Sequence, residues 1–128
     1  MKKLKIALLA AFLMGSVQLQ AGDGYEVGDK ATGFKLKNVD TEYVSLKDYP
    51  EAKGFVVIFT CNHCPWSQAY EQRIIDLHNE YAPKGYPVIA VNSNDSTNYP
   101  SDSFTSMQKR AAEKNYPFPY LLDDKKKN

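Results

Sequence analysis

The sequence predicts one α/β domain built around a strand–helix–strand unit, on three observations. Two short apolar runs, residues 55–59 and 87–91, flank an amphipathic stretch over 65–82. Two alternating segments, 34–37 and 43–46, precede that unit. The only two cysteines of the chain, Cys61 and Cys64, fall where the first apolar run meets the amphipathic stretch. Parallel strands need a crossover of a dozen residues or more, usually a helix, and residues 65–82 supply it.

The first residues read as an export signal. Lys2, Lys3 and Lys5 make a basic start, residues 6–14 are apolar, and residues 15–21 turn more polar and end in the small Ala21. The run is too short to span a bilayer, so we expect a signal peptide over 1–21 and a domain over 22–128. Gly22 follows rather than a cysteine, so a lipid-anchored product is not indicated. The short lysine-rich signal is of bacterial type and implies the periplasm or the exterior. Losing three lysines takes the 16 basic residues of the chain below its 15 acidic ones, which leaves the domain near neutral. No basic patch points to nucleic acid, and no second apolar run points to a membrane span.

Residues 22–32 are polar and read as extended. Phe34-Lys35-Leu36-Lys37 and Tyr43-Val44-Ser45-Leu46 alternate apolar with polar across the turn-like 38–41, which predicts a β-hairpin. Residues 47–54 read as a connector with one helical turn. Residues 55–59 carry no polar side chain on either face, the pattern of a central strand in a sheet covered by helices. Pro65 suits a first helical turn, where its missing N–H costs little. Trp66, Tyr70, Ile74, Leu77 and Tyr81 then recur at helical spacing and predict one buried face. On this reading Tyr70 and Tyr81 are core. Trp66, close to the cysteines, fits either core or a substrate groove. Glu71, Arg73, Asp76 and Glu80 decorate the other faces, and His78 lies on the helix surface. Pro83-Lys84-Gly85 ends the helix, and residues 87–91 form the second apolar strand. Residues 92–103 are rich in Asn, Asp and Ser and read as loop. A second helix over 104–114 has Phe104, Met107 and Ala111 inside. Residues 116–122 suit a short third strand despite Pro117 and Pro119.

A Cys-x-x-Cys pair delivered by a strand to a helix start has the arrangement for dithiol–disulfide exchange. Unpaired N–H groups of a first helical turn favour a thiolate, and a second sulfur one turn away can attack a mixed disulfide. Cys61 is therefore the candidate nucleophile and Cys64 the candidate resolving thiol. His63, between them, would favour the Cys61 thiolate if protonated and make the disulfide more oxidising; the alternative is a solvated side chain without influence. A purely structural bridge over so small a loop would stabilise little. No cofactor and no metal are expected. Cys61, His63 and Cys64 offer three ligands within four residues and suit zinc or copper(I) poorly without a fourth. Haem attachment needs His directly after the second cysteine, where this chain has Pro65.

The ordered set of motifs resembles a known group. Val27-Gly28-Asp29-Lys30-Ala31, Phe59-Thr60-Cys61-Asn62-His63-Cys64-Pro65, Ala69-Tyr70-Glu71, Tyr81-Ala82-Pro83-Lys84-Gly85 and Val91-Asn92-Ser93-Asn94-Asp95 are similar to the thioredoxin-like, peroxiredoxin-related branch of the alkyl hydroperoxide reductase/thiol-specific antioxidant superfamily. The resemblance implies a thioredoxin-like α/β fold with an N-terminal β-hairpin and a central βαβ unit. It also implies exchange with protein thiols or disulfides and with an electron donor or acceptor it does not name. This chain departs from the pattern in four ways. Thr60 stands where thioredoxins have Trp, and residues 55–59 lack their buried proton-shuttling carboxylate. The Thr that peroxiredoxins place three residues before the reactive cysteine is absent. Finally, residue 128 precedes the C-terminal strand pair of such folds, so we expect an incomplete domain whose strand 55–59 is left as an apolar edge. The direction of exchange stays open: His63 leans oxidising, the resemblance reducing or antioxidant. The alternatives are a thiol peroxidase and a non-enzymatic metal-binding or interaction domain.

Overall fold

The computed structural model describes residues 25–124. The expected signal peptide and the last four residues lie outside that range. The described chain falls into two units divided after Thr32. In the first, the Glu26 amide donates to Asp29 Oδ2 at 2.7 Å, and the Tyr25 hydroxyl pairs with Thr32. A turn stands where an extended segment was expected.

Among the described residues the second unit is a five-stranded mixed sheet with two α-helices. Its strands are β1 (Lys35–Asn38), β2 (Tyr43–Ser45), β3 (Val56–Phe59), β4 (Val88–Asn92) and β5 (Tyr120–Leu122), in the order β2-β1-β5-β4-β3. β1 and β2 form the expected antiparallel hairpin, and a 3-10 turn over Leu46–Asp48 follows it. The helices are α1 (Pro65–Tyr81) and α2 (Phe104–Glu113). Gly85 closes the segment after α1 at φ +95°, and a Cβ there would press on the Lys53 side chain at 3.1 Å.

β4 is buried along its whole length because it has a strand on either side and packing on both faces. Val88 and Ala90 point to one face, where Ile74, Ile75 and Leu77 of α1 and Met107 and Ala111 of α2 cover them. Ile89 and Val91 point to the other, against Leu36, Leu121, Phe34, Leu46, Tyr49 and Phe55. One face of the sheet is thus covered by helices, and on the other Phe34, Leu46, Tyr49 and Phe55, from segments flanking the strands, pack against it.

β3 departs from the central place that its apolar run suggests and takes the edge place that the resemblance implies. Among the described residues it pairs with β4 alone and forms the sheet edge. Val56 and Ile58 are half-buried against the helix-side core, while Val57 and Phe59 point outward, 42% and 72% exposed. The apolar run of β3 therefore fixes neither a cover for its second face nor a second lateral neighbour.

The α1 face is corrected too. Trp66, Tyr70 and Tyr81 are all exposed, Trp66 by 77%, and the one buried residue of α1 is Glu71. Among the described residues no strand lies beyond β3 on the side of this α1 face. Phe59, Trp66, Tyr70 and Leu77 instead line an open apolar groove of about 560 Å3. Nor is His78 merely a surface residue: it is half-buried and its Nδ1 accepts the Val88 amide at 3.2 Å.

Candidate functional site

The end of β3 and the start of α1 bring the two cysteines together, both half-buried. Cys64 is the N-cap of α1 and Pro65 its first residue. The helix-start N–H groups therefore fall on Cys64, not on Cys61 as expected from sequence. The Ser67 and Trp66 amides hold the Cys64 thiol below its ordinary value, outweighing a small opposing effect of burial, with the Ser67 hydroxyl and Cys61 assisting. The Cys61 sulfur lies 3.5 Å from the Ser67 hydroxyl.

Asn62, between the cysteines, is buried and held at every polar atom. Its amide donates to Asp102 Oδ1 at 2.5 Å and its Nδ2 to the Ser101 carbonyl at 2.8 Å. Its carbonyl accepts from Gln68 Nε2 at 2.7 Å and its Oδ1 from the Tyr120 hydroxyl at 2.9 Å. Burial pushes the Tyr120 hydroxyl far above its ordinary value, so it stays a donor. The dithiol segment is in this way tied to β5 and to the turn before α2. Such ties fix the sulfurs against a rigid frame.

His63 lies on the same frame. Its Nδ1 is 2.5 Å from Asp102 Oδ2, and its ring stacks on Tyr99 with centroids 4.2 Å apart and planes 11° from parallel. Its side chain is about one-third exposed. The structure thus brings Cys61, His63 and Cys64 together, and adds Asp102.

Asp102 was missed in the sequence, where residues 92–103 read as plain loop. It ends a 3-10 turn (Pro100–Asp102) and is completely buried. Four donors converge on it: the Asn62 amide, His63 Nδ1, Asn92 Nδ2 at 3.3 Å and Asn94 Nδ2 at 3.0 Å. Burial alone would raise its carboxyl; the bonds from Asn94, the Asn62 amide, His63 and Asn92 outweigh it and hold the group below its ordinary value. The one available signal was the Asn92-Ser93-Asn94 segment, two amides just after an apolar strand.

Cys61, His63 and Asp102 each offer one donor atom, all within 4.8 Å of one another. The Asp102 oxygens already accept four N–H groups, which a metal ion would have to displace. The donor set fits a hydrogen-bonded network better than a metal centre. Among the described residues no helix is long and apolar enough to cross a membrane.

Residues 27–128 match the AhpC/TSA family. The chain is 35% identical over 105 residues to the thiol-disulfide oxidoreductase ResA of Oceanobacillus iheyensis, which covers 77% of this chain and 54% of that protein. A ResA of Halalkalibacterium halodurans is 31% identical over 68 residues, covering 53% of this chain and 38% of that protein. The chain therefore spans about half or less of the length of these curated relatives. Among solved structures, an uncharacterized conserved protein from Geobacillus kaustophilus superposes with a TM-score of 0.75 at 40% identity, over 82% of this chain and 56% of that one. A thioredoxin-family thiol:disulfide interchange protein from Chlorobium tepidum superposes with a TM-score of 0.64 at 13% identity, over 80% of this chain and 66% of that one, and shows the shared fold. The chain belongs to the AhpC/TSA family and has a thioredoxin-like fold.

Proposed function

We propose that this AhpC/TSA-family chain is a thiol-disulfide oxidoreductase whose Cys61/Cys64 pair exchanges two electrons with protein thiols or disulfides. The observation that carries the reading is the Cys-x-x-Cys at the β3–α1 junction, with the helix-start amides on one of its sulfurs. In the reducing direction the Cys61 thiolate attacks a substrate disulfide and one substrate sulfur leaves as a thiolate. The Cys64 thiolate then attacks the Cys61 sulfur, forms the internal disulfide and releases the second substrate thiolate. In the opposite direction an incoming thiolate attacks the Cys61 sulfur and Cys64 leaves. The amides of Trp66 and Ser67 serve both directions, since they stabilise Cys64 as resolving nucleophile and as leaving group. Cys61 takes the substrate because a ring nitrogen of His63 lies within 4.8 Å of its sulfur.

The expected signal over 1–21 supports export to the periplasm or beyond, where partners with disulfides occur. The electron donor or acceptor would be a second thiol-disulfide protein. The test is trapping. Cys64→Ser, mixed with a disulfide-bonded protein, should accumulate a mixed disulfide through Cys61, while Cys61→Ser should not. Mixed disulfides through Cys64 alone would reverse the roles, and none in either variant would remove the exchange reading. Mature protein recovered from the periplasm and starting at Gly22 would support export.

A further inference from the structure

Exchange by a thiol that is not already ionised needs an acceptor for its proton and a donor for the departing sulfur. Strand β3 holds no carboxylate for this, and the helix amides serve Cys64. Resting on the exchange reading above, we propose that Asp102 is a positioning residue that fixes His63 in the Nδ1–H form, leaving Nε2 as the site that takes the Cys61 proton and returns it to the departing substrate sulfur.

The argument is one of donors and acceptors. An ionised carboxylate only accepts, so the His63 nitrogen 2.5 Å from Asp102 Oδ2 must carry a proton. In a neutral ring that leaves the lone pair on Nε2. Asp102 cannot turn away to release the ring, because the Asn62 amide, Asn92 and Asn94 hold both its oxygens. Tyr99 stacked on the ring face restrains rotation of the imidazole. A ring nitrogen of His63 lies within 4.8 Å of the Cys61 sulfur, and the ring is one-third exposed, so the proton reaches Nε2 through water. Asp102 itself is sealed from solvent. It therefore acts through His63 and not on the substrate.

The step balances. The Cys61 S–H bond breaks and its proton goes to His63 Nε2. The Cys61 sulfur forms a bond to one substrate sulfur, the substrate S–S bond breaks, and the departing thiolate takes the proton from Nε2.

Nitrogen-15 NMR of the histidines in the full wild-type chain tests the placement without any variant. We expect His63 Nδ1 to carry the proton in the neutral ring and Nε2 to be bare; a bare Nδ1 would overturn the proposal. In Asp102→Asn the preference should swap, because the amide can present N–H to Nδ1. The functional arm is a double-mutant cycle on the rate of disulfide exchange at pH 7. Asp102→Asn should slow exchange about tenfold in the wild-type background and cause no further loss in His63→Ala. Equal losses in both backgrounds would make Asp102 a structural residue and overturn its positioning role, while leaving the exchange reading intact. No exchange by the wild-type chain would overturn the exchange reading, and the proton step with it.

Discussion

Asp102 and Glu71 are both carboxylates that the fold takes out of water, 0% and 7% exposed, and the surroundings give them different work. Glu71 points from α1 to α2 and meets full charges: Arg110 at 2.5–2.7 Å and Lys114 at 3.6 Å. Burial works against the Arg110 charge, yet Glu71 outweighs it and holds the guanidinium above its ordinary value. Nearby, burial first and the Glu71 charge second push the Tyr116 hydroxyl up to about 12. This is a clamp between two helices. Asp102 meets three neutral donors and one imidazole, beside a reactive sulfur. A carboxylate neutralised by a permanent cation is electrostatically closed. One held by amides keeps its charge available to a titratable neighbour. The kind of donor around a buried acid, more than the burial, separates a structural site from a functional one.

The largest effect should come from breaking the clamp. Glu71→Ala leaves Arg110 charged and poorly hydrated between the helices. We expect a loss of about 2–3 kcal/mol, below the cost of a fully sealed pair because Lys114 and part of Arg110 reach water. Urea denaturation measures it, and the reduction potential of the dithiol should not move. A shifted potential would erase the distinction between the two acids.

Asp102→Asn should cost less at neutral pH, about 1–2 kcal/mol, because the amide keeps the shape and part of the bonding. The sign with pH follows from a folded-state value held below the ordinary 3.8. The contribution of ionised Asp102 is fully present above that ordinary value and is lost as pH falls through the lower folded one. The gap between wild type and variant, followed by urea denaturation, should therefore narrow below about pH 4. A gap that widens in acid would mean that the group is not stabilised as an anion.

The smallest effect concerns the outer face of α1. The clamp matters because α1 reaches the core through Ile74, Ile75 and Leu77 and not through its aromatic residues. Trp66→Ala should change stability by less than about 0.5 kcal/mol, as for an exposed side chain. A loss of several kcal/mol in thermal or urea unfolding would restore the core reading of that face.

Much of the fold was legible because its elements are local in sequence. The period-2 segments gave β1 and β2, Pro65 and Gly85 bracketed the helix, and the apolar 87–91 became the buried β4. Helical spacing misled at Tyr70 and Tyr81, since a periodic apolar stripe shows that a face exists but not what covers it. Glu71 and His78 were read as surface for the converse reason: their partners, Arg110 and the Val88 amide, come from other elements.

Of the site, the sequence by itself determined the dithiol, its spacing and its place between strand and helix, because a Cys-x-x-Cys at such a junction is a local pattern. Only the tertiary structure decided which sulfur meets the helix amides and that Asp102 stands against His63. The last of these joins residues 39 positions apart, through a loop whose composition looks like ordinary solvent-facing chain. A carboxylate in such a loop becomes a buried acceptor only when Asn62, His63, Asn92 and Asn94 bring their N–H groups to it, and those donors are assembled by the packing of β4, β5 and the turn before α2.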